Sequence, residues 1–167
     1  MADKTNNIPD QYQVPRPNPA LRSLDVLVGT WNMTGRDFSS HEELRGQFSF
    51  EWMEGGFFLV QHIHLVHSKG IEIIGYDELN RVCTSHSFDN MGSAFTYTYV
   101  VTADTIIIRG LGFLPGISTT TFDLSPGAAA VFRGRISKDR NTITGAWKWP
   151  GGGFSATSTR VGYLSLQ

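Results

Sequence analysis

From Val26 onward, short runs rich in Val, Ile, Thr, Phe, Tyr and Trp recur about every ten residues, each closed off by Gly, Asp, Asn, Ser or Pro. Helical periodicity is nearly absent over the same span. The pattern predicts strands near residues 26–35, 44–54, 57–67, 70–77, 81–89, 93–102, 105–111, 117–124, 129–137, 142–149 and 153–163. So many short strands with tight connections make an antiparallel meander, an all-β fold. Closing it into a barrel of roughly ten strands removes the two edges that an open sheet leaves unpaired.

Ahead of the strands, residues 1–18 carry Pro9, Pro15 and Pro17 among polar residues, the composition of an extended surface arm. Asn18-Pro19 then reads as a helix start, with asparagine as cap and proline in the first helical position, opening a short helical turn through Leu24. Residues 19–167 are expected to form one barrel domain, and a chain of 167 residues is long enough for a sizeable core. Fourteen Lys and Arg nearly cancel fifteen Asp and Glu, and no basic run occurs, so no nucleic-acid partner is expected. The N-terminus lacks an apolar signal-like region and no stretch is long enough for a membrane helix, which points to a cytoplasmic protein with no membrane partner. The single cysteine, Cys83, excludes an intrachain disulfide and is read as a packing residue.

Turn lengths assign faces, because residues paired across an antiparallel ladder share a face and faces alternate along each strand. A two-residue turn at Ser68-Lys69 and four-residue loops at 77–80 and 89–92 put Val60, His62, His64, Ile71, Ile73, Thr84, His86, Phe88, Phe95, Tyr97 and Tyr99 on one face. The other face receives Gln61, Glu72, Ser85, Ser87, Thr96 and Thr98. The first set is the more apolar and is expected to point inward, with His67 in solvent. The Glu54-Gly55-Gly56 join allows a plain turn with Phe57 inward or a glycine bulge with Phe58 inward, and the downstream hairpins favour the bulge. Alternation also puts Phe48, Phe50 and Trp52 inward, and Phe132, Ile143, Trp147 and Trp149 likewise.

The stretch LDVLVGTWNMTG enters the first strand through Gly29-Thr30-Trp31, and FEWMEGGFFLVQH, IEIIGYDELNRV and SFDNMG follow in order. This succession resembles a lipocalin-like bacterial family of the calycin superfamily, over roughly Leu21 to the C-terminus. The resemblance implies a fatty-acid-binding-protein-like barrel with a central cavity and carries no established reaction. The haem-binding nitrobindins share the opening that Gly29, Trp31 and Gly35 match. Their proximal histidine lies near the C-terminus, where this chain has none after His86.

A barrel of this size is either filled by side chains or keeps a cavity for one small ligand. The aromatic set Phe48, Phe50, Trp52, Phe95, Tyr97, Tyr99, Trp147 and Trp149, joined by Val60, Thr84 and the histidines, is the expected lining of a small-molecule site. His62 and His64, two apart on one strand, would place their backbones roughly 6–7 Å apart, and with His86 they form the one set from which a metal site could be built. As acid/base groups, His62, His64 or His86 with Tyr97 or Tyr99 would suit a cyclase, isomerase or dehydratase that needs no cofactor. Arg109, Arg133 and Arg135 face outward by parity, so no carboxylate-anchoring arginine is expected inside; the facing of Arg160 is open. Gly151-Gly152-Gly153 is read as a hairpin loop, since no helix follows it, and Asp123 and Asp139 as turn or strand-end residues. Three readings result: a carrier of a small apolar or aromatic molecule without a cofactor, a cofactor-independent enzyme, and a metal or haem barrel. The outer barrel surface can in addition form a homodimer.

Overall fold

Asn18 accepts a hydrogen bond from the Ala20 amide on its side-chain oxygen, and Pro19 begins a 3-10 helix, Pro19–Leu27. In this computed structural model, which describes residues 15–113 and 130–162, the helix runs a little past the expected turn and plugs one end of the barrel. Its apolar side, Leu21, Leu24 and Leu27, is buried in the core that also holds Trp31 and Phe50. No helix among the described residues is long and apolar enough to cross a membrane.

Ten strands follow: β1 (Gly29–Asp37), β2 (Glu43–Trp52), β3 (Leu59–Leu65), β4 (Lys69–Asp77), β5 (Val82–Asp89), β6 (Ala94–Val101), β7 (Thr105–Phe113), β8 (Ala130–Ile136), β9 (Thr142–Trp149) and β10 (Gly152–Gly162). Each pairs antiparallel with its neighbour in sequence, and β10 returns to β1, closing the barrel. The strand expected near 117–124 lies outside the described residues, as do residues 1–14 of the expected arm and Asp123. Pro150-Gly151 makes the turn between β9 and β10, with Gly151 at a φ of 85° that favours glycine.

At the helix end the interior is solid. Trp31 is fully buried, its indole N–H donates to the Leu27 carbonyl at 2.7 Å, and its ring stacks against Phe48. Arg160 points inward here, with its guanidinium 4.1 Å from the Trp31 ring centroid and donating to the carbonyls of Val26 and Val28. One cation thus satisfies carbonyls at the helix C-terminus and covers an aromatic face. Phe50, Leu59, Ile74, Cys83, Tyr99, Ile106, Ile136 and Ile143 complete this layer.

The faces of β3, β4 and β5 are the reverse of the sequence expectation. Leu59, Ile74 and Cys83 are buried, and they share a face with Gln61, Glu72, Ser85 and Ser87, which therefore point inward. Val60, His62, His64, Thr84 and His86 stand on the outer face with Ile71, Ile73 and Phe88. Two connections account for the reversal. The β2–β3 connection spans residues 53–58, closed by Met53 N–H to Phe58 O at 2.9 Å, and gives the parity of the plain turn with Phe57 on the inner side. Phe58 lies outside, so close to Gly75 that a Cβ there would come within 2.8 Å of its ring.

The β5–β6 connection runs from Asp89 to Ser93, one residue longer than expected, because the Asp89 carboxylate accepts the amides of Met91 and Ser93 at 2.9 Å each. His86 therefore pairs with Thr96 instead of Phe95. The expected single face joined the outer side of β3–β5 to the inner side of β6 across this one-residue slip. Elsewhere the parity holds: Phe48, Phe50, Trp52, Phe132, Ile143, Trp147 and Trp149 face inward and Arg109, Arg133 and Arg135 outward.

Candidate functional site

Away from the helix, inward side chains stay partly accessible. Ile63, Phe95, Tyr97, Trp147 and Phe154 are each only partly buried, in contrast to the sealed layer below them. Phe95 and Tyr97 stack at 6.0 Å, Tyr97 meets Trp147 at 5.8 Å, and Trp147 meets Phe132 at 5.6 Å. Glycines make room for this row of rings: a Cβ on Gly110 would lie 2.5 Å from the Tyr97 ring, and one on Gly134 2.6 Å from Phe132. Trp149 sits at the rim, 40% exposed, edge-on to Phe154.

Between this aromatic half and the sealed layer lies a buried polar cluster. Glu72, 3% exposed, accepts hydrogen bonds on Oε1 from the Ser85 hydroxyl and the Tyr99 hydroxyl, both at 2.5 Å. Among the described residues Oε2 takes no hydrogen bond. Burial pushes the Glu72 carboxyl up, and the two hydroxyl donors pull the other way because they favour the ionised form. Tyr99 is held far above the usual phenol range by burial and then by Glu72, and Tyr97 is raised by burial, Glu72 and Asp89. The Cys83 thiol is raised by burial, which disfavours the thiolate.

The sequence-predicted site residues divide into three groups. Phe95, Tyr97 and Trp147 line the accessible half, with Trp149 at its rim. Phe50 and Tyr99 belong to the sealed layer, Phe48 stacks on Trp31 and meets Phe50 edge-on, and the Trp52 indole N–H is tied to Asp25 at 2.9 Å. Val60, His62, His64, Thr84 and His86 leave the site altogether. His62 meets Glu51 on the exposed surface at 3.3 Å, and His86 lies 3.5 Å from the Thr96 hydroxyl. Among the described residues no three His, Cys, Asp or Glu side chains converge as metal ligands, and no histidine of the described strands faces the interior to meet haem iron.

Sequence reasoning missed Glu72, which it placed in solvent. The signal available was Glu72 itself, a lone acid between Ile71, Ile73 and Ile74, alternating in phase with Ile74 and Tyr76. A concavity of about 340 Å³ lies along β1, β2 and β10, but Arg36 and Arg45 are both paired with Glu43 there and it lacks an apolar floor.

No family model matches the chain, and no curated protein matches it. Among solved structures it is similar to the crystal structure of Rv2717c from M. tuberculosis, with a TM-score of 0.57 and 18% identity, covering 87% of this chain and 99% of that one. A de novo designed fluorescence-activating β-barrel aligns with a TM-score of 0.43 and 12% identity, over 83% of this chain and 97% of the other. The first likeness supports the fold, a closed ten-stranded antiparallel barrel.

Proposed function

We propose that the protein binds a small, largely apolar or aromatic molecule in the accessible half of its barrel, as a carrier. The observation that supports this most is the change in burial along the interior. The helix end is packed solid, whereas Phe95, Tyr97, Trp147 and Phe154 remain partly open to solvent on the same inner surface. Aromatic side chains bury large apolar areas, so leaving four of them partly exposed in a concave site is what a site completed by a ligand requires.

The neutral fluorophore N-phenyl-1-naphthylamine tests this directly. It should brighten on saturable, one-to-one binding, and replacing Trp147 or Tyr97 with alanine should weaken that binding at least severalfold. No saturable binding, or binding unchanged in both variants, would remove the reading.

The enzymatic alternative passes from the histidines to Glu72, because among the described residues it is the deeply buried inward acid, with its carboxyl raised by burial toward the protonated form that can donate a proton. In a carrier, Glu72→Gln alters binding alone; in an enzyme it abolishes turnover of a bound compound that native mass spectrometry has identified.

A further inference from the structure

The proposed ligand has a charge preference written into the interior. Among the described strand residues that face inward, the only cation is Arg160, and it is occupied at the sealed end by Trp31 and the carbonyls of Val26, Val28 and Arg140. The acids on the inner side are Glu72 in the middle of the barrel and Asp37 and Asp89 at the far ends of β1 and β5. From Phe113 to Ala129 the chain contains no lysine, arginine or histidine. Among the described residues a fatty-acid carboxylate would meet no inward cation in this half, and an ionised Glu72 would repel it.

Glu72 is also arranged as a carboxylate that waits for a cation. Both hydroxyls donate to Oε1, an arrangement that stabilises the ionised form and leaves no donor on Oε2. The remaining neighbours in the ladder are Gln61 on β3 and Ser87 on β5. Tyr97 is near enough to feel the Glu72 charge, and its ring meets that of Trp147 at 5.8 Å; the faces of such rings attract an ammonium group. A buried carboxylate without a counter-charge is expensive, so a ligand that supplies one gains from an interaction the free protein lacks.

We infer that the barrel selects lipophilic amines: the apolar part lies against Phe95, Tyr97 and Trp147, and the protonated nitrogen pairs with Glu72 Oε2. This rests on the proposed binding site and adds the chemical class of its ligand.

Octylammonium, 1-octanol and octanoate share a chain and differ in the head group. Each is measured by displacement of N-phenyl-1-naphthylamine at pH 7. Octylammonium should bind at least about tenfold tighter than octanol, with octanoate weakest. Glu72→Gln should bring octylammonium down to the octanol level, read as the ratio of amine to alcohol affinity within the same variant. The unmodified protein gives a second readout, because octylammonium stays charged throughout. Its affinity relative to octanol should rise with pH as Glu72 ionises and then level off. Of the other titratable groups on the strands packed against Glu72, Cys83 on β5 and Tyr97 and Tyr99 on β6 are raised by burial, Asp89 faces inward at the far end of β5, and β3 contributes only the neutral Gln61.

Equal binding of amine and alcohol, tighter octanoate, or a flat pH ratio would overturn the inference while leaving the binding site intact. Failure of the fluorophore and of all three compounds to bind would overturn the site and the inference together.

Discussion

Replacing Glu72 with leucine takes away the one acceptor shared by two buried hydroxyls. Ser85 and Tyr99 are almost fully buried, and each donates to Glu72 Oε1. A buried hydroxyl left without a partner costs about 1–3 kcal/mol, so the pair costs about 2–6 kcal/mol. Burying the leucine side chain returns about 1.5–3 kcal/mol. The net change should therefore lie between about −1 and 4.5 kcal/mol, centred on a loss of about 2 kcal/mol. Adding Ser85→Ala and Tyr99→Phe removes the stranded hydroxyls, and the triple variant should recover most of that loss despite having three changes instead of one.

Glu72→Gln separates the charge from the hydrogen bonds. Its amide oxygen still accepts from both hydroxyls, so the fold should hold. In the wild type, burial raises the Glu72 carboxyl above the ordinary glutamate value of 4.5. A group raised on folding contributes stability that is fully present below its unfolded value and is lost as pH rises through the folded one. Wild-type stability should therefore fall from pH 4.5 upward through the raised value, and Glu72→Gln should flatten that part of the profile. Urea unfolding followed by tryptophan fluorescence across pH 4.5–8 measures both effects. A triple variant no more stable than Glu72→Leu, together with an unchanged pH profile in Glu72→Gln, would refute the cluster as described.

Gly110→Ala forces a Cβ to 2.5 Å from the Tyr97 ring and should destabilise the barrel by about 1–3 kcal/mol; the loss should shrink in Gly110→Ala with Tyr97→Ala, as a thermal-unfolding comparison of the four proteins would show. Trp31→Phe removes the hydrogen bond to the Leu27 carbonyl and trims the ring under Arg160, for a loss of about 2–4 kcal/mol by urea titration. His62→Ala, His64→Ala and His86→Ala should each change stability by less than about 1 kcal/mol and leave fluorophore binding unchanged, since all three are exposed on the outer face. A histidine variant that lost binding would reinstate the original facing.

The barrel was legible because its punctuation is local. Strand positions, the Asn18-Pro19 helix start and the Gly29-Thr30-Trp31 entry depend on residues close in sequence, and among the described residues ten strands lie near their expected places, although residues 26–27 belong to the helix and the β3–β4 turn is not Ser68-Lys69, since His64 pairs with Lys69. Facing was harder in the β3–β5 region, where hydrophobicity hardly distinguishes the two sides. Leu59, Ile63, Ile74 and Cys83 lie on the inner face and Val60, Ile71, Ile73 and Phe88 on the outer one. Ile71, Ile73 and Phe88 are 38%, 39% and 53% exposed, whereas the acid and two serines opposite are buried. With so little contrast, the choice of side passed to the aromatic residues of β6, and their register hinges on one extra residue in the Asp89–Ser93 connection. That residue is set by side-chain capping from Asp89, a three-dimensional detail that composition does not carry. The aromatic half of the site was thus found by pattern, while its polar floor, Glu72 with Ser85 and Tyr99, required the true register.

The most direct measurement is a crystal structure of the protein with bound octylammonium. Its chain should lie against Phe95, Tyr97 and Trp147, with the nitrogen within hydrogen-bond distance of Glu72 Oε2. An alkyl chain seated instead on the outer apolar face beside Ile71, Ile73 and His86, with the interior unchanged, would contradict it.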